Sequence, residues 1–172
     1  MLADLSPLIA ATTHWLTRSY PACGGALSEA LGEAQARQAV TVAARLRYPT
    51  PTDAALVGMA GPGGSAALDL ITGAAPGDRT GTHDDAWRTW VDEVVASWAA
   101  CLLGDLALAR RAVAALGPGD GTPAAFRRLL SPDSRDRAAA ALLRHPDLLD
   151  PVAALHRPAL QDRLDPGRAL IA

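Results

Sequence analysis

The sequence predicts an all-α protein that forms one domain over residues 1–172, and three observations lead to this prediction. Apolar residues recur at the 3.6-residue period of a helix over several long segments. A polar residue followed by proline, which is typical of helix starts, occurs at several places. No stretch combines alternating polarity with the β-branched composition of a strand. With 172 residues, the chain also has about the length of a single domain.

Two helices are predicted in the N-terminal part. The first begins at Ser6, directly before a proline, and ends before Pro21. Proline suits the first turn of a helix, and it disfavours helical geometry in the residue that precedes it. The second helix is predicted from about Ala26 to Arg47, because a further proline follows at position 49.

The middle of the chain contains an irregular segment followed by the strongest helical pattern. Residues 49–81 are rich in glycine and proline, and we expect one or two short helices there. From Thr82 to Leu103, large apolar residues fall within one arc at the helical period. These residues are Trp87, Trp90, Val91, Val94, Trp98, Cys101 and Leu102. The pattern predicts a long central helix that is rich in tryptophan.

The C-terminal part is predicted to consist of shorter helices. Gly104 is expected to end the central helix in a left-handed conformation, and Asp105 to cap a helix from Leu106 to Leu116, so that an αα-hairpin forms. Residues 122–172 are expected to form three or four short helices. Predicted helix starts are Thr122-Pro123, Ser131-Pro132 and Asp150-Pro151.

Composition excludes several classes of function. All 16 basic residues are arginine, and neither lysine nor asparagine occurs, which is typical of a bacterium with a GC-rich genome. Without lysine the chain has no Schiff-base lysine and no phosphate-loop lysine. The net charge is −2 and no basic stripe is present, so we expect no nucleic-acid partner. No stretch resembles a membrane span or a secretory signal, so we expect no membrane association and a cytoplasmic location.

The densest group of ionisable residues beside aromatic ones is the run Thr82 to Trp87. One interpretation is a capping box, in which Thr82 and Asp85 satisfy the first backbone amides of the helix. The other is catalytic, with His83 as the acid–base residue because its ordinary pKa lies near neutral pH. Asp84 would then select the His83 tautomer, provided that a neighbouring turn allows the contact.

His14, next to Trp15 on the first helix, is the second candidate for acid–base chemistry, although a lone histidine near an apolar face is more often structural. The four histidines have neither HxxxH nor HxH spacing, so we predict no metal site and no cofactor. Asp92 and Glu93 are expected on the solvent side of the central helix.

Four tryptophans are the remaining candidates for binding: Trp15, Trp87, Trp90 and Trp98. Large aromatic side chains are usually core residues. Tryptophan is also enriched among the residues that dominate protein interfaces. The sequence does not distinguish a core from a cavity or an interface.

Two hypotheses about function follow. The first is a non-catalytic helical interaction partner, an accessory subunit or immunity-type binder that docks on another protein or on a second copy of itself. The alternative is a small cofactor-independent enzyme of specialised metabolism, with a tryptophan-lined cavity and His83 or His14 as acid–base residue. The first is favoured, because no motif forms a complete catalytic set.

Overall fold

The computed structural model describes residues 4–60, 63–73, 86–117, 120–141, 143–165 and 167, and this part of the chain is all-α, as predicted. It contains ten α-helices and two 3-10 turns, the latter at Ala86–Trp90 and Pro123–Phe126. The α-helices are α1 (Ser6–Ser19), α2 (Ala26–Arg47), α3 (Pro51–Ala60), α4 (Ser65–Thr72), α5 (Glu93–Gly104), α6 (Leu106–Ala114), α7 (Arg127–Leu130), α8 (Ser134–Ala139), α9 (Pro146–Ala154) and α10 (Arg157–Leu164).

The predicted bounds of the first two helices are confirmed. Both helices end at a tyrosine directly before a proline, and in each case the tyrosine N–H donates to a carbonyl of the last turn. Before α2, Gly24 and Gly25 both have positive φ, a conformation that suits glycine and keeps the chain out of helix until Ala26. One or two short helices are expected within residues 49–81, and the described part of this segment contains two, α3 and α4.

The core is built around α2, the longest helix with 22 residues, which packs against α1, α5 and α8. Helix α5 lies in the interior, with every residue from Val95 to Leu103 buried. Both helices carry several buried alanines, whose small side chains allow two helices to pack closely. The buried alanines are Ala36, Ala39, Ala43 and Ala44 on α2 and Ala96, Ala99 and Ala100 on α5.

The single helix predicted from Thr82 to Leu103 is wrong in the part that the structure describes. Trp87 and Trp90 lie in the 3-10 turn, and α5 starts only at Glu93. Asp92 interrupts the helix, because its carboxylate accepts from the Val95 N–H at 3.0 Å as an N-cap and also from the Tyr48 hydroxyl. Asp92 is therefore not the solvent-facing helical residue that the periodicity predicts.

Contacts from another segment also hold the chain out of helix before Asp92. The Gly63 N–H donates to the Thr89 carbonyl at 3.0 Å. Gly63 approaches the backbone so closely that an added Cβ would lie 1.5 Å from the carbonyl oxygen of Val91. Only glycine fits at this position, and the contact joins the start of α4 to the segment that leads into α5.

One predicted helix end and two predicted helix starts are also corrected. Gly104 is the last residue of α5 and has no positive φ, because Asp105 ends α5 in an extended conformation and at once caps α6. Ser131-Pro132 does not start a helix, since α8 begins two residues later, at Ser134, behind a capping box of Asp133 and Asp136. Asp150-Pro151 lies inside α9, which begins at Pro146.

We expect Gly63→Ala to lower the free energy of unfolding by about 1–3 kcal/mol, the range typical of overpacked sites, because the new methyl group would collide with the Val91 carbonyl. Urea denaturation of the purified variant measures this change. The control is Gly58→Ala in α3, where an added Cβ has nothing within 4 Å and should raise stability by roughly 0.5–1 kcal/mol. A Gly63→Ala protein as stable as the parent would contradict the close contact.

Candidate functional site

Helix α4 carries a buried carboxylate on its inward side. Asp69 is only 9% exposed, and its carboxylate accepts a hydrogen bond from Trp15 Nε1 of α1 at 3.1 Å. The Arg88 guanidinium, from the 3-10 turn, donates to the second Asp69 oxygen and forms an ion pair with it. Asp69 therefore connects three segments of the chain.

The partners of Asp69 explain how this carboxylate is accommodated. Removing an ionised carboxylate from water is costly unless hydrogen bonds and an opposite charge compensate. Trp15 is fully buried, and Arg88 is about a quarter exposed, with a side-chain accessibility of 25%. Both donors belong to the protein core beneath α4. Asp69 therefore keeps these partners only when the side of α4 that carries it faces inward.

The outward side of α4 is apolar. Its four exposed residues are Ala66, Ala67, Leu70 and Ile71, of which Leu70 is 85% and Ile71 37% exposed. The inward side holds Ser65, Leu68 and Asp69, all buried, and the half-buried Thr72. A surface helix normally has the opposite arrangement, with its polar side in water. The polarity of α4 is therefore inverted.

Helix α3, which precedes α4, also presents an apolar side to solvent. Leu56 is 53% and Met59 75% exposed, and no residue of α3 is fully buried. The side that contacts the core consists of Ala54 and Val57. Behind α3 lies a cavity of about 210 Å³ lined by apolar residues together with Tyr48, Trp90 and Asp92. The helix is thus attached to the core by few contacts.

We call the exposed apolar residues of the two helices the α3–α4 surface. It consists of Ala55, Leu56, Met59, Ala60, Ala66, Ala67, Leu70 and Ile71. None of these residues is ionisable, and exposed apolar patches of this kind usually mark binding sites. Among the residues that the structure describes, no single helix meets the length and hydropathy criteria for crossing a membrane; α3 and α4 meet them only together, as a pair bent by 78°.

Of the residues predicted for acid–base chemistry, His83 and Asp84 lie outside the described residues. His14 is exposed, and its ring packs against Trp87 with 5.1 Å between ring centroids and 50° between the ring planes. It lines a cavity of about 400 Å³ between α1 and α2, together with Tyr20, Glu29 and Glu33. The structure does not describe a contact between the two candidate histidines.

The groups around the His14 cavity already have partners or are open to water. The Tyr20 hydroxyl donates to the Leu148 carbonyl at 2.8 Å, and Glu33 forms an exposed ion pair with Arg37 at 2.6 Å. Within the described ranges, no group of three or more histidine, cysteine or acidic residues could hold a metal ion.

The four tryptophans do not lie at one site. Trp15 and Trp98 are core residues, 0% and 3% exposed, and each indole N–H has an acceptor: Asp69 for Trp15 and the His156 carbonyl for Trp98. Trp87 and Trp90 are half-buried. In this fold, Trp15 and Trp98 therefore offer no surface to a partner.

The sequence reasoning missed the inverted polarity of α4. Ser65, Asp69 and Thr72 recur at positions i, i+4 and i+7, so the two sides of the helix are visible in the sequence. Which side faces inward is not visible, because it depends on Trp15 and Arg88 from distant segments.

Comparisons with protein-family models, with curated proteins and with solved structures found no match for this chain.

We expect Asp69→Ala to lower the free energy of unfolding by about 2–4 kcal/mol, because the buried indole N–H of Trp15 loses its acceptor and Arg88 its buried counter-charge. Thermal and urea denaturation measure the loss. The control is Asp147→Ala, where the side chain is 89% exposed and the expected change is within about 0.5 kcal/mol. Equal stabilities of the two variants would show that Asp69 does not hold α4.

Burial also predicts a pH dependence. It raises the pKa of Tyr20 to about 12. An unfolded tyrosine has a pKa near 10, so between pH 10 and 12 only the unfolded chain loses this proton, and the free energy of unfolding should fall by roughly 1.4 kcal/mol per pH unit. Stability curves at pH 9, 10 and 11 should show that Tyr20→Phe removes this part of the slope. Identical slopes in parent and variant would contradict the shift.

Proposed function

We propose that this chain is a non-catalytic helical interaction protein, an accessory subunit or immunity-type binder, which acts by docking the α3–α4 surface on another polypeptide chain. The inverted polarity of α4 carries this proposal. A partly buried ion pair holds Asp69 inward while Leu70 and Ile71 face solvent. Such an arrangement leaves apolar area uncovered in the isolated chain, and a partner would cover it.

The energetic argument rests on the two most exposed side chains. Met59 is 75% and Leu70 85% exposed. Fully burying one such side chain stabilises a complex by roughly 1.5–3 kcal/mol. Covering both would therefore contribute several kcal/mol to association.

The surface is also prepared for binding before a partner arrives. Helix α4 is held to the core through Asp69, so that docking on its outward side would order little backbone, and preorganisation of this kind lowers the entropic cost of association. Because the surface carries no charge, we propose that the matching surface of the partner is also apolar and uncharged.

A small cofactor-independent enzyme is the second candidate, and the cavity beside His14 supports it. Its volume of about 400 Å³ lies in the range of small-molecule sites. A tryptophan does line a cavity, but it is Trp90 at the smaller cavity behind α3, so His14 and this tryptophan belong to different cavities. We therefore favour the interaction protein.

We also propose that the protein works in the cytoplasm of a GC-rich bacterium. Both cysteines are free, Cys23 on the surface and Cys101 in the core. An exposed free thiol fits a reducing compartment, where disulfides are rare.

Size-exclusion chromatography with light scattering tests the proposed function, on the chain alone and coexpressed with each product of its neighbouring genes. We expect a stable complex with a mass above the 17.8 kDa of one chain. Leu70→Glu should abolish this complex, because the substitution places a charge at the most exposed large side chain of the α3–α4 surface. Leu27→Glu is the matched control, since Leu27 is also exposed, at 67%, but lies on α2.

Two outcomes would contradict the proposed function. One is a chain that remains a 17.8 kDa monomer alone and with every neighbour. The other is a complex that Leu70→Glu leaves intact and Leu27→Glu disrupts, which would place docking on α2. Loss of an established turnover on replacing His14 by alanine would favour the enzyme instead.

A further inference from the structure

We infer that the groove between α2 and the 3-10 turn at Pro123–Phe126 binds a small organic carboxylate, and that Arg45 of α2 is the residue that pairs with its negative charge. The groove has a volume of about 520 Å³, in the range of small-molecule sites. Among the described residues that line it, none belongs to α3 or α4. The site is therefore separate from the α3–α4 surface, and the inference goes beyond the proposed function.

Arg45 is the residue that points to a ligand. It is half-buried, yet it makes no hydrogen bond or ion pair with any residue that the structure describes. Withdrawing a charge from water costs free energy unless an opposite charge or a hydrogen-bond partner compensates. The N–H donors of a guanidinium also match the two oxygens of a carboxylate. A carboxylate in the groove would supply the partner that the chain does not.

Two carboxylates of the chain lie near Arg45 without pairing with it. Asp4 and Asp120 line a second cavity with Arg45, on another side of this residue. Each carboxylate accepts a backbone N–H instead, Asp4 from Ser6 at 3.1 Å and Asp120 from Gly117 at 3.0 Å. These acids offset part of the Arg45 charge, but they leave its N–H donors unpaired.

Gly121 keeps the groove open beside Arg45. Its φ is +117°, a backbone conformation that suits glycine. A Cβ added at Gly121 would lie 3.4 Å from Nη1 of Arg45 and 3.0 Å from Cε2 of Phe126. The guanidinium and the Phe126 ring therefore border the same small space, which suits a carboxylate attached to an apolar group.

The charge in the groove matches a single carboxylate. Arg37 pairs with Glu33 at 2.6 Å, so that of the charged residues described along the groove only Arg45 lacks a counter-charge. A phosphate group carries close to two negative charges, and one of them would stay uncompensated here. One guanidinium and one carboxylate balance each other.

The rest of the groove is suited to the body of such a ligand. Gln38 accepts from the Leu129 N–H at 2.9 Å through Oε1, which leaves its NH₂ group as a further donor. The other lining residues are mostly apolar, as in most small-molecule sites. They include Ala30, Ala34, Ala125 and Phe126.

A titration of the purified full chain with phenylbutyrate, followed by NMR through the backbone amide shifts, tests this inference. Phenylbutyrate joins one carboxylate to an apolar ring, and we expect saturable binding with a Kd on the order of 1 mM. The amides that shift should include Thr41, Gly121 and Ala125. Phenylbutanol, which has the same ring and no charge, should bind more weakly by roughly tenfold or more, the loss expected for a charged hydrogen bond.

Arg45→Gln should also weaken phenylbutyrate binding by roughly tenfold or more, because it removes the positive charge. The matched control is Arg110→Gln, since Arg110 is exposed on α6 and does not line the groove. It removes the same charge and should leave the Kd unchanged. The comparison of phenylbutyrate with phenylbutanol uses the parent chain, so it tests the inference even if Arg45→Gln does not fold.

No binding of phenylbutyrate, or equal binding by the parent and by Arg45→Gln, would overturn the inference. Shifts that cluster at the His14 cavity would overturn it as well. Inorganic phosphate that binds in the groove as tightly as phenylbutyrate would rule out an organic carboxylate, because the apolar lining would then contribute nothing. None of these outcomes bears on the complex expected of the α3–α4 surface, which Leu70→Glu tests separately.

Discussion

The hydrogen bonds and ion pair of Asp69 determine which side of α4 faces water. Hydrophobic burial alone would turn Leu70 and Ile71 toward the core, because apolar side chains are more stable there. Turning the helix this way would separate Asp69 from the Trp15 indole and from Arg88. The buried Trp15 N–H would then have lost this acceptor, and Arg88 its counter-charge. The pairing of Asp69, together with the burial of Leu68 on the same side of the helix, therefore outweighs the burial of Leu70 and Ile71, and α4 keeps these two side chains outside.

This constraint separates the molecule into two parts with different chemistry. In the interior, α2 packs against α5 and both helices carry buried alanines, while buried polar groups pair with each other, as where Ser97 accepts from the His156 N–H and donates to the Ala153 carbonyl. At one edge, α3 and α4 expose large apolar side chains. The proposed docking function uses this edge, while His14 and two of the tryptophans, Trp15 and Trp98, lie elsewhere in the fold.

The sequence predicts the helices best where local signals decide. Prolines 21 and 49 end α1 and α2 as expected, and Asp105 caps α6 through the N–H groups of Ala107 and Leu108. Prediction from the sequence fails where contacts from a distant segment determine the end of a helix. The apolar period continues through residues 86–92, but Tyr48 and Gly63 bind the backbone and side chains there and stop the helix.

The candidate site could be predicted only in part, for the same reason. Ser65, Asp69 and Thr72 reveal that α4 has two sides, and hydrophobicity would place the wrong one inward. The acceptor role of Asp69 depends on a tryptophan 54 positions away along the chain. No local pattern contains this information, so the α3–α4 surface becomes visible only in the folded molecule.

The rate at which an engineered thiol reacts with a labelling reagent tests the orientation of α4 most directly. The measurement compares Leu70→Cys with Leu68→Cys in a Cys23→Ser background. Each variant is labelled once alone in dilute solution and once with a partner chain bound to the α3–α4 surface. Leu70 is 85% exposed and Leu68 is buried. In dilute solution the thiol of the Leu70→Cys variant should therefore react nearly as fast as in the unfolded chain, and the thiol of the Leu68→Cys variant should be protected. Covering the surface should then slow only the Leu70→Cys variant. A protected thiol in Leu70→Cys and a reactive one in Leu68→Cys, both in dilute solution, would contradict the inverted helix and the function proposed from it.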